Sequence, residues 1–159
     1  MSSQSVPGKS PRQHAAAAVP VEPVARQGAP LVLIAEDHED TRFLLKTLLT
    51  FRGLAVVEAA NGMEAVETVR RERPDLVLMD GSLPLLDGFS ATRMMRALDP
   101  LREVPIIFIS GHADQDSQAA ARDAGCDEYM IKPLDYALLD RMLERRLAHR
   151  LAGASGSAV

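Results

Sequence analysis

The 159-residue sequence has no tryptophan and a single cysteine, Cys126. One thiol permits no internal disulfide, so Cys126 reads as a small buried hydrophobe in a reducing compartment. Long apolar runs are missing too. Nothing approaches the roughly 20 residues that a membrane-spanning helix needs. Near the N-terminus, Lys9 and Arg12 precede only Ala15 to Val19 before Pro20. That patch is too short and too broken for a secretory signal, and the expected location is cytoplasmic. Neither sign of charge dominates: 18 Lys and Arg stand against 22 Asp and Glu, interspersed, for a formal net charge of −4. This balance argues against nucleic acid as a direct partner. No G-x-x-x-x-G-K-[ST] occurs, which disfavours a nucleoside-triphosphatase. No His/Cys cluster points to zinc, and no internal repeat shows.

What is present centres on the stretch from Asp75 to Gly88. Leu76, Val77, Leu78 and Met79 run into a bare carboxylate, Asp80. Such a run reads as a strand buried on both faces, as in parallel sheets. A charge at its end belongs at the sheet rim, because burying it unpaired costs too much. Ligand sites in open α/β sheets lie just beyond the carboxyl ends of the strands, which makes Asp80 the first candidate for chemistry.

The rest of the chain repeats this alternation. Residues 1–30, rich in Pro, Ala, Ser and Gln without a period, are expected to be a disordered tail. Leu31 to Ala35 reads as strand one, ending in Glu36-Asp37. Leu44, Leu45, Leu48, Leu49 and Phe51 mark an amphipathic helix closed by Gly53. Leu54 to Glu58 is strand two. Asn61 with Glu64 resembles a capping box, Ala65, Val66 and Val69 form an apolar face, and Pro74 stops the helix. Strand three is Asp75 to Met79, and helix three carries Ala91, Met94, Met95 and Leu98 up to Asp99-Pro100. Val104 to Ile109 is strand four, ending in Ser110. Asp114 to Ala124 is helix four, capped by Gly125. Asp127 to Ile131 is strand five, ending in Lys132-Pro133. Helix five runs from about Asp135 to Leu151 with Leu139, Leu143 and Leu147 as one stripe. Its Arg141, Arg145, Arg146 and Arg150 read as a solvated face partly paired with Asp140 and Glu144. Residues 152–159 are expected to be a flexible tail. Five strands alternating with five helices imply an α/β fold, a parallel sheet with helices on both faces, over residues 31–151.

In a parallel sheet the strand ends share one rim. Glu36, Asp37 and Asp80 should therefore converge with Ser110 and Lys132. Carboxylates crowded together raise one another's pKa. A hard divalent cation relieves that, and oxygen ligands suit Mg²⁺. A carboxylate can attack a phosphoryl group to give an acyl phosphate. Lys132 supplies a point charge and Ser110 a rotatable donor, and phosphoryl transfer asks for little beyond positioning and charge stabilisation.

These residues in this order resemble the response-regulator receiver domains of bacterial two-component systems. The resemblance rests on Glu36-Asp37, on Asp80 with Leu83-Pro84 and Asp87-Gly88 downstream, on Ser110, and on Lys132-Pro133. It covers roughly Leu31 to Leu151. It implies a flavodoxin-like (βα)5 doubly wound sandwich with strand order 2-1-3-4-5. It implies Asp80 as phosphoacceptor, Mg²⁺ held by Asp37, Asp80 and the Ser82 backbone carbonyl with Glu36 helping through water, and Lys132 on the phosphoryl group. It also implies a cis Lys132–Pro133 bond, with Ser110 and Tyr129 as switch residues. The phosphoryl donor would be a sensor histidine kinase or histidine phosphotransfer protein, and the readout a downstream protein target on the helix 4, strand 5, helix 5 face. That face is left open as a phosphorylation-dependent dimer surface. Ser110 stands where Thr is commoner. Ser82 and His112 occupy variable positions beside the pocket and are expected to set the acyl-phosphate lifetime.

Taken singly, most of these residues have plain structural readings. Glu36 and Asp37 suit a helix start, Ser110 a turn, Tyr129 a static core position, and His38 and His112 solvated loops. Asp80 after a wholly apolar strand has none. An aspartyl phosphohydrolase is the enzyme alternative, but haloacid-dehalogenase-like phosphatases need a second Asp where Ser82 stands. A flavodoxin-like FMN binder would want Ser, Thr and Gly where Glu36-Asp37 repel phosphate. A non-phosphorylated interaction module of the same fold is the third. With eight residues after Leu151, no output domain is expected, and the protein reads as a diffusible regulator or relay intermediate rather than an enzyme with turnover.

Overall fold

Five short apolar segments pair side by side as β1 (Leu31–Ala35), β2 (Ala55–Ala59), β3 (Leu76–Asp80), β4 (Ile106–Ser110) and β5 (Glu128–Ile131). They form one parallel sheet in the order β2-β1-β3-β4-β5. Between and after them run α1 (Glu39–Phe51), α2 (Gly62–Glu72), α3 (Gly88–Ala97), α4 (Gln115–Ala124) and α5 (Tyr136–Ser155). This computed structural model describes residues 28–98 and 103–155, with side chains through residue 150. Most of the expected N-terminal tail, and residues 156–159 of the C-terminal one, lie outside the described residues.

Side-chain alternation along the strands builds two cores. Leu33, Val77, Met79, Ile106 and Phe108 point to one face, where Val66 and Val69 of α2, Met95 of α3 and Ala121 of α4 cover them. Val32, Ile34, Leu76, Leu78, Ile107 and Ile109 point to the other, against Leu45 and Leu49 of α1 and Leu139, Leu143 and Leu147 of α5. Every residue of β1, β3 and β4 is buried, as helices on both faces require. Burying one such aliphatic side chain contributes about 1.5–3 kcal/mol. Asn61, Asp87 and Asp114 cap α2, α3 and α4, each accepting a hydrogen bond from the backbone N–H three residues on. Glu64 reaches back past the cap to the Ala60 N–H, so the return bond of a capping box is displaced by one residue from Asn61.

The structure departs from expectation in three places. Only Leu45 and Leu49 of the α1 stripe are buried; Leu44 is 43% and Phe51 93% exposed. The sheet covers one narrow face of the helix, and residues 100° or more from that face meet solvent. Met94 of α3 is likewise 43% exposed. Helix α5 continues to Ser155 rather than ending near Leu151. Gly153 costs a helix only about 1 kcal/mol, and it stands between the strong helix formers Ala152 and Ala154. Finally, the arginines of α5 do not use neighbours along the helix. Arg145 and Arg146 meet Glu128 of β5 at 2.8 and 2.9 Å, and Arg150 meets Asp75 at 3.1 Å. Asp140 pairs instead with Arg52, just past α1.

Candidate functional site

The register places Asp80 opposite Ile109 and Ser110 opposite Ile131, so β3, β4 and β5 end side by side. β1 ends at Ala35, opposite Met79, which sends Glu36 and Asp37 over the same rim. Of the residues expected to converge, Lys132, Asp80 and Glu36 meet at bonding distance. Lys132 Nζ lies 3.0 Å from Asp80 Oδ2 and 3.3 Å from Glu36 Oε2. Asp80 Oδ1 accepts a 2.9 Å hydrogen bond from the Ser82 N–H. One donor atom each from Glu36, Asp37, His38 and Asp80 falls within 4.8 Å of all the others. Glu36, Asp80 and Ser110 are 2, 4 and 2% exposed, so this is a desolvated acidic pocket rather than a charged surface.

Burial raises the Glu36 carboxyl above its ordinary value, opposed by the hydrogen bond from the His38 N–H and reinforced by Asp80. Burial works against charge on Lys132 as well. The hydrogen bond to Asp80 and the charges of Asp80 and Glu36 outweigh it, and the ammonium is held above the usual lysine range. His38 is raised by its Glu36 hydrogen bond and by the charges of Asp37 and Glu36.

Asp37 differs from its neighbours. Its Oδ1 is buried and has no hydrogen-bond partner. The His38 Nδ1 approaches it to 3.2 Å without the geometry of a hydrogen bond. A buried carboxylate oxygen left bare is costly unless something cationic satisfies it. Together with Glu36 and Asp80 it forms an oxygen donor set of the kind that hard divalent cations prefer.

The loop beyond Asp80 closes tightly. The Gly88 N–H donates to the Gly81 carbonyl at 3.2 Å, and a Cβ on Gly88 would lie 2.2 Å from the Asp80 carbonyl oxygen. Only glycine allows that approach, which explains the Asp87-Gly88 pair. Across the rim, the Ser110 hydroxyl accepts from the His112 N–H at 3.1 Å. Tyr129 stacks on Phe108, ring centroids 5.9 Å apart, and Phe108 lies under Gly81. The Lys132–Pro133 bond is cis.

Residues 32–144 match the family described as the response regulator receiver domain. The chain belongs to this family. Among its relatives, the polar-differentiation response regulator DivK of Brucella anthropi is 35% identical over 103 residues, covering 65% of this chain and 84% of DivK. The transcriptional regulatory protein PrrA of Mycobacterium bovis is 32% identical over 130 residues, covering 82% of this chain. The chain spans about half the length of that regulator, 55%. The receiver domain of sensor histidine kinase PA1611 from Pseudomonas aeruginosa superposes with a TM-score of 0.71 at 37% identity, over 76% of this chain and 98% of that one. That structure carries a magnesium ion coordinated in its active-site cleft. The flavodoxin-like architecture of this receiver domain is thus shared with its structural neighbours. Among the described residues no helix is long and apolar enough to cross a membrane.

Two side chains of this receiver domain stand at the site without having been singled out for it. His38, read as a solvated loop residue, is 74% exposed but points its Nδ1 at Glu36 and Asp37, 3.2 Å from each. Arg42 donates from Nη1 to the Glu36 carbonyl oxygen at 2.9 Å. A signal existed for Arg42: a cation in the first turn of a helix opposes the macrodipole, which suggests a local acceptor that holds it there.

Proposed function

We propose that this receiver domain is a phosphorylation-dependent signalling switch with Asp80 as phosphoacceptor. The phosphoryl group comes from a phosphohistidine on a sensor histidine kinase or histidine phosphotransfer protein. One observation carries the reading: Lys132 Nζ touches the Asp80 carboxylate at 3.0 Å in a pocket where Asp37 keeps a bare buried oxygen. An Asp80 carboxylate oxygen attacks phosphorus. The phosphorus–nitrogen bond breaks, and its electron pair returns to the donor imidazole. Asp37, Asp80 and the Ser82 backbone carbonyl would hold Mg²⁺ directly, and Glu36 through water. The ion would supply charge neutralisation for the phosphoryl oxygens. Lys132 stabilises the charge that builds on the transferred group, and Ser110 rotates from His112 to donate to it.

Phosphorylation then favours one of two pre-existing conformers. Ser110 draws the β4–α4 loop inward, Tyr129 follows, and the face of α4, β5 and α5 changes its affinity for a downstream protein or for a second copy. Moving such an equilibrium from 1:99 to 99:1 takes about 5.5 kcal/mol of differential stabilisation. Ser82 and His112, beside the pocket, tune how long the acyl phosphate lasts.

Incubation with acetyl phosphate and Mg²⁺ tests the assignment. The intact mass of the wild-type chain is expected to rise by one phosphoryl group, and that of Asp80→Asn is expected to stay unchanged. Equal uptake by both proteins overturns it.

A further inference from the structure

Arg42 lies one turn into α1, and its guanidinium bridges two elements. Nη1 donates to the Glu36 carbonyl oxygen at 2.9 Å, and Nε donates to Glu58 Oε1 of β2 at 3.3 Å. Lys46 Nζ holds the other Glu58 oxygen at 2.7 Å. The hydrogen bond from Lys46, reinforced by both cations, keeps the Glu58 carboxyl below its ordinary range despite partial burial. Glu58 therefore stays ionised and anchored. Arg42, only 19% exposed, is fixed at both ends.

The carbonyl that Arg42 grips belongs to the peptide group joining Glu36 to Asp37. That peptide is planar, so fixing its oxygen fixes the direction in which Asp37 leaves the chain. On the other side, the Glu36 N–H is tied to the Ala59 carbonyl at 3.0 Å. The Asp37 Oδ1 accepts no hydrogen bond, and the exposed His38 ring comes near it at 3.2 Å. The main chain that carries the carboxylate is held from β2 on one side and by Arg42 on the other.

We propose that Arg42, anchored by Glu58, is a positioning residue for the divalent-cation site: it aims the Asp37 carboxylate at the ion. The inference rests on the Mg²⁺ reading given above. It assigns a task to β2, the one strand whose end brings no polar group to the rim. Supporting partners of metal ligands typically change affinity 10–100-fold when removed. An ordinary half-exposed ion pair does no such thing and affects stability alone.

The test is Mg²⁺ binding to the unphosphorylated full chain, by titration calorimetry. Arg42→Met is expected to weaken Mg²⁺ binding about tenfold. The rate of acetyl phosphate labelling at saturating Mg²⁺ should stay near the wild-type value, while the Mg²⁺ concentration giving half that rate rises by the same factor as the dissociation constant. Glu58→Gln, which keeps the guanidinium but loosens its anchor, is expected to fall between Arg42→Met and wild type. Lys46→Met leaves Arg42 on both of its acceptors and removes only the second cation on Glu58, so it is expected to weaken Mg²⁺ binding less than Glu58→Gln does. Should Arg42→Met fail to fold, Arg42→Lys replaces it: one ammonium cannot span both acceptors, so weakened binding is again expected. Wild-type affinity in a folded Arg42 variant, or equal weakening in Lys46→Met, overturns the proposal. Asp37→Asn separates this from the underlying reading. If that variant binds Mg²⁺ as tightly as wild type, the site itself is wrongly placed and Arg42 has nothing to position.

Discussion

The Tyr129 hydroxyl donates a 2.7 Å hydrogen bond to the His112 carbonyl oxygen, two residues beyond Ser110. The ring that makes this bond also stacks on Phe108. The loop after β4 is thereby fastened to β5 in the unphosphorylated protein. Tyr129→Phe keeps the stack and removes the fastening. A stability loss of about 0.5–1 kcal/mol is expected, since the bond is solvent-exposed. Amide exchange in residues 111–114 should speed up while exchange within β4 stays slow. Unchanged exchange in that loop would show that the hydroxyl does not hold it.

The acidic pocket carries its own conflict. In Asp37→Asn the bare buried oxygen no longer shares a full negative charge with Glu36 and Asp80 close by. Denaturation without divalent cations is expected to show this variant more stable than wild type by about 1 kcal/mol. The order should reverse with Mg²⁺. Ligand at a hundredfold excess over its dissociation constant stabilises the wild-type fold by about 2.7 kcal/mol and leaves a non-binding variant behind. A variant equally stabilised by Mg²⁺ would contradict the ligand role of Asp37.

Asp114 caps α4 by accepting from the Ser117 N–H at 2.8 Å and the Ser117 hydroxyl at 2.8 Å. The backbone bond first, and the hydroxyl next, hold its carboxyl below the ordinary aspartate value of 3.8. A folded-state pKa below the unfolded one contributes stability that is complete above about pH 4 and is lost as pH falls through the folded value. Asp114→Asn retains a capping oxygen without the titration. Its stability is expected to fall less steeply than wild type between about pH 4 and pH 2, read by denaturant melts across that window. Parallel acid slopes would remove Asp114 as a contributor.

Leu85, in the loop after Asp80, is 83% exposed and has a φ of +65°. Left-handed backbone costs a residue of this type about 1–2 kcal/mol, and almost no packing compensates. Leu85→Asn, a residue that tolerates this conformation, is expected to stabilise the protein by about 0.5–1 kcal/mol in urea unfolding. Destabilisation would mean that the exposed leucine makes contacts its accessibility hides.

Gly88→Ala should behave in the opposite way. The added carbon would lie 2.2 Å from the backbone oxygen of Asp80, which cannot move without shifting the end of β3. A loss of several kcal/mol is expected, on the order of the largest single-site effects, together with slower labelling by acetyl phosphate. Wild-type stability here would show that the loop is far softer than its close approach suggests.

Much of this was readable from residue order. Apolar runs that end in Asp80, Ser110 and Lys132 announce strands whose last residue reaches a common rim, because side-chain chemistry changes abruptly where burial stops. Glycine and capping residues mark the loops between them for equally local reasons. The stripe Leu139, Leu143 and Leu147 faces the sheet as its spacing implies, and all three are buried. The α1 stripe is wider than the face the sheet covers: Leu44 and Phe51 are as apolar as Leu45 and Leu49 but exposed, and periodicity says which side chains share a face but not how wide the covering surface is.

Charge partners were the least legible feature. Arg145 and Arg146 have no acidic residue three or four positions away on their own helix, and they turn to Glu128, while Asp140 turns to Arg52. Spacing along a chain finds only candidates one helical turn away, whereas a folded protein offers carboxylates from any strand packed nearby. The same holds for Arg42, whose acceptors come from β2 and from the backbone at the end of β1. Local chemistry was enough to dictate the elements, the rim and the kind of groups gathered there, since each depends on a few consecutive residues. Which oxygen is satisfied, which is left bare and which guanidinium holds the peptide between two acids depend on distances between segments remote in sequence, and those exist only once the sheet has formed.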